Sequence, residues 1–289
     1  MMKKILDGKN LSNYIIYNIY KKIQKYKKIG YRLPTLAVIL VGNNKSSLLY
    51  VKRKHIACKA SGIISLAYNL PYSINNNTLL KLIDKLNKDN KIDGILIQFP
   101  LPLHINTNKI LEIISPEKDV DGLSPYNIGR LCQRIPLLRP CTSLGIITLL
   151  SKYKINILGL NTLVIGASNI VGRPMSMELL LSGCTVTIIH RFTKNLSYYV
   201  KKADLVIVSV GKINFIYGNI IKYGAIVIDV GINYNYNGDI KGDINFNSVY
   251  NKSSYITPVP GGVGPMTISA LMYNTFISYK KKINNNYIL

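Results

Sequence analysis

Short, largely apolar runs recur along this chain at the spacing of buried strands: LAVILVG from Leu36, GILIQF from Gly94, TLVIGAS from Thr162, LVIVSVG from Leu205 and GAIVIDVG from Gly224. A strand apolar on both faces has to be covered on both, which a mostly parallel sheet flanked by helices achieves. Between these runs the pattern turns helical. Ile15, Ile16, Ile19 and Ile23 line one side of a helix from Asn10, with Ser12 as its N-cap, lysines at its C-terminal end and Gly30 closing it. A second helix is expected over 47–61, ended by Gly62, and a third over 78–88, with a strand near 63–70 between them. The chain therefore reads as an α/β protein.

The stretch DGLSPYNIGRLCQRIPLLRPCTS interrupts the alternation and marks a boundary between two blocks. Two α/β domains flanking a cleft are expected, over 1–139 and 140–266. A long amphipathic helix over 267–289 should pack back on the first, and the second should be a Rossmann-like dinucleotide-binding domain.

With 48% hydrophobic residues the chain can bury a core, and it carries 37 Lys and Arg against 13 Asp and Glu, a formal charge of +24. Heavy use of Lys, Asn, Ile and Tyr without Trp follows A+T-rich codons, so most of this charge needs no nucleic-acid partner; an RNA-binding α/β protein is the alternative of a different class. No apolar run is long enough to cross a bilayer, and the start, MMKKILDGKNLSN, lacks the core of a secretory signal. Cytoplasmic residence without membrane association is expected. Cys58, Cys132, Cys141 and Cys184 form no CxxC pair and His55, His104 and His190 lie far apart, so no metal site is expected and the cysteines read as small buried hydrophobes.

Gly166-Ala167-Ser168-Asn-Ile-Val-Gly172-Arg-Pro174 follows a strand and opens an apolar helix, the context of a phosphate-binding turn, although the spacing also suits a ligand-free βα turn. The next strand ends His190-Arg191, where an NAD enzyme would carry an acid; a cation there suits the 2′-phosphate of NADP. Tyr50 and Lys54 share one helical face, a pattern equally consistent with a solvated amphipathic helix. Gln98 lies at a strand's C-terminal end and Asp121 on a glycine-containing loop, so a lysine, an amide and an acid could converge on a cleft.

Eight stretches appear in order: Tyr50 to Lys54 followed by SGI, DGILIQFPLP, PEKDVDGL, RPCT, IGASNIVGRPM, HRFTKNL, GAIVIDVGIN and YITPVPGGVGPMT. Together they resemble the bifunctional methylenetetrahydrofolate dehydrogenase/methenyltetrahydrofolate cyclohydrolase family. The resemblance implies oxidation of 5,10-methylenetetrahydrofolate with NADP and hydrolysis of the product to 10-formyltetrahydrofolate; a monofunctional dehydrogenase of the same fold is the alternative. It further implies that Tyr50 stacks on the folate, Lys54 is the catalytic amine, Gln98 supports it and Asp121 holds the pterin. By the same likeness Gly264 and Pro265 belong to a loop lining the folate site, and Gly166, Ala167, Ser168, Arg191 and Ile232 bind NADP. Tetrahydrofolate polyglutamates as substrate and a homodimer are implied with them. Ser143 stands where the family often has proline and is expected to supply a capping hydroxyl; Leu123 and Ser124 also depart from the pattern.

Overall fold

The computed structural model describes residues 4–285. Its elements run β1 (Lys4–Ile5), α1 (Gly8–Lys28), β2 (Thr35–Val41), α2 (Lys45–Ser61), β3 (Ile64–Leu70), α3 (Asn76–Lys88), β4 (Gly94–Ile97), α4 (Thr107–Ile113), α5 (Pro125–Cys132) and α6 (Cys141–Lys152). They continue with β5 (Asn161–Ile165), α7 (Gly172–Leu181), β6 (Thr185–Ile189), α8 (Leu196–Lys202), β7 (Leu205–Val208), β8 (Ile226–Asp229), β9 (Asn233–Tyr234), β10 (Ile240–Lys241), α9 (Phe246–Tyr250), β11 (Tyr255–Ile256) and α10 (Val263–Asn285). The chain divides into two compact units, Asn13–Cys141 with Ile268–Leu289, and Met1–Ser12 with Thr142–Thr267.

In the first unit β2 is the middle of a parallel three-stranded sheet, β3-β2-β4, and all seven of its residues are buried. Ala37, Ile39 and Val41 of β2 pack with Ile95 and Ile97 of β4 and with Leu79, Ile83 and Leu86 of α3, the buried stripe of that amphipathic helix. Capping sets where the helices begin and stop. Asn44 accepts the Ser47 N–H at 3.1 Å to start α2, and Gly62, at φ +79°, ends it. The C-terminal helix belongs to this unit from Ile268 on. Ser278 donates to the Asp93 and Glu117 carbonyls, and Tyr279 Oη to the Arg32 carbonyl at 2.7 Å. The buried Asp93 carboxylate receives both Arg32 Nη atoms at 2.6 Å and the Thr35 N–H at 2.9 Å, which satisfies a charge that would be costly to bury alone.

The second unit holds a parallel six-stranded sheet in the order β1-β11-β8-β7-β5-β6. From β5 the chain moves outward to β6, then crosses back to place β7 and β8 on the other side. The connections therefore diverge between β5 and β7, and the crevice at their C-terminal ends is where a fold of this kind takes its ligand. Val206 and Val208 pack with Leu163, Ile165 and Val227 to fill the core.

Several expectations need correction. Residues 4–12, expected with the rest of 1–139, fall in the second unit, because Lys4 and Ile5 pair in parallel with Tyr255 and Ile256 of β11; residues 1–3 lie outside the described residues. The first helix starts at Gly8, ahead of Ser12. Asp7 accepts the Asn10 N–H at 3.0 Å, whereas the Ser12 hydroxyl donates to the Pro265 carbonyl at 2.8 Å. Gly8 is required there, since a Cβ would lie 1.9 Å from the Gly262 carbonyl oxygen. The last helix begins at Val263 rather than 267; of the expected span, residues 286–289 lie outside the described residues. Ser143 caps nothing, for its hydroxyl is buried without a hydrogen-bond partner. Cys132 is exposed, while Cys58, Cys141 and Cys184 are buried. Among the described residues no helix is long and apolar enough to cross a membrane.

Candidate active site

Lys54 lies on α2 with only 9% of its surface exposed, and its Nζ donates to Gln98 Oε1 at 2.9 Å. Gln98 follows β4 directly. Its own N–H is held by the Ile39 carbonyl at 2.9 Å and its Nε2 donates to the Phe99 carbonyl at 2.7 Å, which turns the amide oxygen toward the lysine. Desolvation lowers the Lys54 pKa from the usual lysine value, and the nearby Asp121 charge opposes that shift. The half-buried Asp121 moves the other way: its low-dielectric surroundings raise it, and Lys54 offsets part of the rise. An amine that loses its proton more readily than an exposed lysine, fixed by an amide and with a carboxyl group in its electrostatic surroundings, can accept and return a proton. Tyr50 is half-buried one turn before Lys54. The structure thus brings Lys54, Gln98 and Asp121 together. The nearby thiols are poor nucleophiles, since burial pushes Cys58 up to about 11 and Cys141 well above its ordinary value.

The loop carrying Asp121 is built by residues whose roles did not stand out from the sequence. Asp119 is 1% exposed, and its carboxylate accepts the N–H groups of Gly122 at 3.1 Å, Leu123 at 3.2 Å and Ser124 at 2.7 Å, together with Asn127 Nδ2 at 2.8 Å. Gly122 adopts φ +73°, and a Cβ there would lie 2.6 Å from the Arg139 carbonyl carbon. Asn274, from α10, donates to the carbonyls of Val120 at 2.9 Å and Arg139 at 2.8 Å, so it joins the loop that carries Asp121 to the segment after α5. An Asp ahead of a glycine turn signals local N–H capping; Asn274 gave no sign, because its partners lie more than 130 residues away.

In the other unit the turn after β5 is crowded to the limit. Gly166 takes φ +117° and a Cβ would sit 2.2 Å from the Ser209 carbonyl oxygen; one at Gly172 would sit 1.9 Å from that of Gly166. Backbone can therefore approach a pyrophosphate here as no side chain would allow. Ala167 is half-buried and Ser168 exposed. The Ser168 hydroxyl accepts the Val171 and Gly172 N–H groups at 3.2 and 3.4 Å, so these two amides at the start of α7 already have a partner. Arg191, just past β6, is exposed with its guanidinium over the Phe192 ring at 4.7 Å. Ile232 lies against Gly264, where a Cβ would be 3.6 Å from Ile232 Cδ1. Gly264 and Pro265 belong to the first turn of α10, not to a loop, because proline tolerates the first turn, where its missing N–H costs no helical bond.

A glycine turn at the switch point of a parallel sheet, with a buried lysine and its partners in a separate α/β unit, defines a dinucleotide-dependent enzyme that also has a proton-transfer group. The tetrahydrofolate dehydrogenase/cyclohydrolase catalytic-domain model matches residues 6–121 and its NAD(P)-binding-domain model residues 140–283. The chain resembles the bifunctional methylenetetrahydrofolate dehydrogenase/cyclohydrolase of Campylobacter jejuni at 49% identity and a TM-score of 0.95, over 97% of this chain and 99% of that one. It also resembles a 5,10-methylenetetrahydrofolate dehydrogenase of the silkworm Bombyx mori, at 40% identity and TM-score 0.90 over 98% and 100% of the two chains. The dehydrogenase-cyclohydrolase of Trypanosoma brucei, solved with NADP and an inhibitor, matches at 32% identity and TM-score 0.93 over 97% and 98%. The chain belongs to the tetrahydrofolate dehydrogenase/cyclohydrolase family. It is a bifunctional enzyme of reduced folates that uses an NAD(P) dinucleotide.

Proposed function

We propose that this chain oxidises 5,10-methylenetetrahydrofolate with NADP and hydrolyses the 5,10-methenyl product to 10-formyltetrahydrofolate, with Lys54 as the proton-transfer group and Asp121 and Tyr50 holding the folate. The observation that carries the reading is the buried Lys54 amine on Gln98 with Asp121 as its electrostatic neighbour.

NADP, when bound, takes up a hydride. The one-carbon bridge that loses it is left as a cation stabilised by the adjacent nitrogen lone pairs, so the chain has only to orient the reactants. Hydrolysis asks for more. Water adds to the methenyl carbon and gives one proton to Lys54; Lys54 returns that proton to N5 as the bond to N5 breaks, and the hydroxyl of the adduct loses its own proton to solvent as the carbonyl forms, which leaves the formyl group on N10 and releases one proton overall. Lys54 suits the first transfer because desolvation makes its neutral form accessible. The Gly166 and Gly172 turn supports a pyrophosphate, and Arg191 is free of any carboxylate that would compete for a 2′-phosphate among its described contacts.

Purified protein given methylenetetrahydrofolate should form NADPH and then 10-formyltetrahydrofolate, and should turn over NAD poorly. Dinucleotide reduction without 10-formyl product would overturn the bifunctional reading. Arg191→Glu should raise the KM for NADP about 30- to 100-fold, the size of one charge-assisted contact, and leave that for NAD within about threefold. An unchanged preference would place the 2′-phosphate elsewhere. The family likeness supports tetrahydrofolate polyglutamates as substrate and a homodimer as assembly, and the four free thiols suit the reducing cytoplasm.

A further inference from the structure

At the C-terminal ends of β7 and β8 two buried carboxylates bind backbone instead of cations. Asp243 is fully buried. Its Oδ2 accepts the N–H groups of Val210 at 2.6 Å and Gly211 at 3.0 Å, and its Oδ1 accepts the Lys212 N–H at 2.9 Å and Asn233 Nδ2 at 2.9 Å. Three successive backbone N–H groups converging on one anion form a nest, here filled by the protein's own carboxylate. Beside it Asp229 Oδ1 accepts from Gly231 at 2.9 Å and from the Asp243 N–H at 3.0 Å, and Oδ2 from Ile244 at 3.0 Å. Two glycines make the arrangement possible. A Cβ on Gly231 would lie 2.3 Å from the Asp243 carboxyl carbon, and one on Gly242 1.9 Å from Asp229 Oδ2.

The segments held in this way bracket the dinucleotide crevice. Residues 210–212 follow Ser209, whose carbonyl abuts Gly166 of the phosphate turn, and Ile232 is flanked by Gly231 and Asn233, which contact the carboxylate pair from either side. We propose that Asp243 is a positioning residue for the dinucleotide: its four accepted bonds set the backbone of 210–212 and of Ile232–Asn233 against the Gly166 turn, so that cofactor binding and dehydrogenation depend on it and hydrolysis does not. This rests on the bifunctional reading above. All four bonds need acceptor oxygens. An asparagine keeps the shape but turns one oxygen into an NH2 group facing two N–H donors, which reverses half of the set.

The test compares Asp243→Asn and Asn233→Ala with the full-length wild-type chain. NADPH titration, followed by the nucleotide's own fluorescence, should show a dissociation constant at least tenfold higher in Asp243→Asn and about three- to fivefold higher in Asn233→Ala. Dehydrogenase kcat/KM should fall in step, while hydrolysis of 5,10-methenyltetrahydrofolate supplied directly, without dinucleotide, stays within twofold. Unchanged NADPH affinity, or an equal loss of both activities, would overturn the proposal. If Asp243→Asn fails to fold, Asn233→Ala decides alone, since the half-buried Asn233 contributes one of the four bonds. Failure of the bifunctional reading would instead appear as absent 10-formyl product in the wild type, and the NADPH titration does not depend on that product.

Discussion

Lys54→Met should abolish cyclohydrolase activity, lowering its kcat at least about a thousandfold, the loss expected when a positioned general base is removed. Methionine matches the length of the side chain and is at home in the 9%-exposed site, so the fold should hold; removing a buried cation relieves a desolvation penalty while Gln98 Oε1 loses its donor. Dehydrogenation should suffer less, because hydride loss from the one-carbon bridge needs no base. The measurement is paired: the decay of methenyltetrahydrofolate, and NADPH formation from methylenetetrahydrofolate, in the same folded variant. Full cyclohydrolase activity would remove Lys54 from the mechanism. The pH profile adds a second readout. Burial lowers the folded-state pKa of Lys54, so the neutral amine becomes populated at a lower pH than on an exposed lysine, and wild-type hydrolysis should rise as pH passes upward through that depressed value. In Lys54→Met the residual rate should lose this inflection.

Asp119→Ala should damage both activities by way of the loop that carries Asp121. The carboxylate accepts four N–H bonds in a 1%-exposed position, and deleting it leaves those donors buried without acceptors. A loss of about 3–5 kcal/mol is expected, lowering the melting temperature by about 10 °C. With the loop released, kcat/KM should fall about a hundredfold for dehydrogenation and hydrolysis alike, the usual effect of a displacement of about 1 Å at a reacting group. The shared loss separates it from Asp243→Asn, which should affect only the dinucleotide-dependent step. Calorimetry and the two assays check it, and wild-type melting with wild-type rates in Asp119→Ala would show that Gly122 and Asn274 hold the loop without it.

What could be read from the residues alone was local. The all-buried strand Thr35–Val41, the α3 stripe of Leu79, Ile83 and Leu86, the glycine stop at Gly62 and the crowded Gly166–Gly172 turn follow from periodicity and turn chemistry within a few residues. The alternation of such elements was enough to imply a parallel α/β architecture, and ordered motifs pointed to the site residues. Pairings across the chain needed the tertiary path. Lys4 and Ile5 beside β11, Asn274 on the carbonyls of Val120 and Arg139, and Asp243 on the amides of Val210 to Lys212 join segments from about 30 to 250 residues apart. No periodicity encodes such a pairing, because which buried donor meets which acceptor depends on how the strands are ordered and where each loop is brought back. The protonation balance of Lys54 was decided there too: its spacing from Tyr50 placed it on a helix face, but only packing removed the water that an exposed lysine keeps.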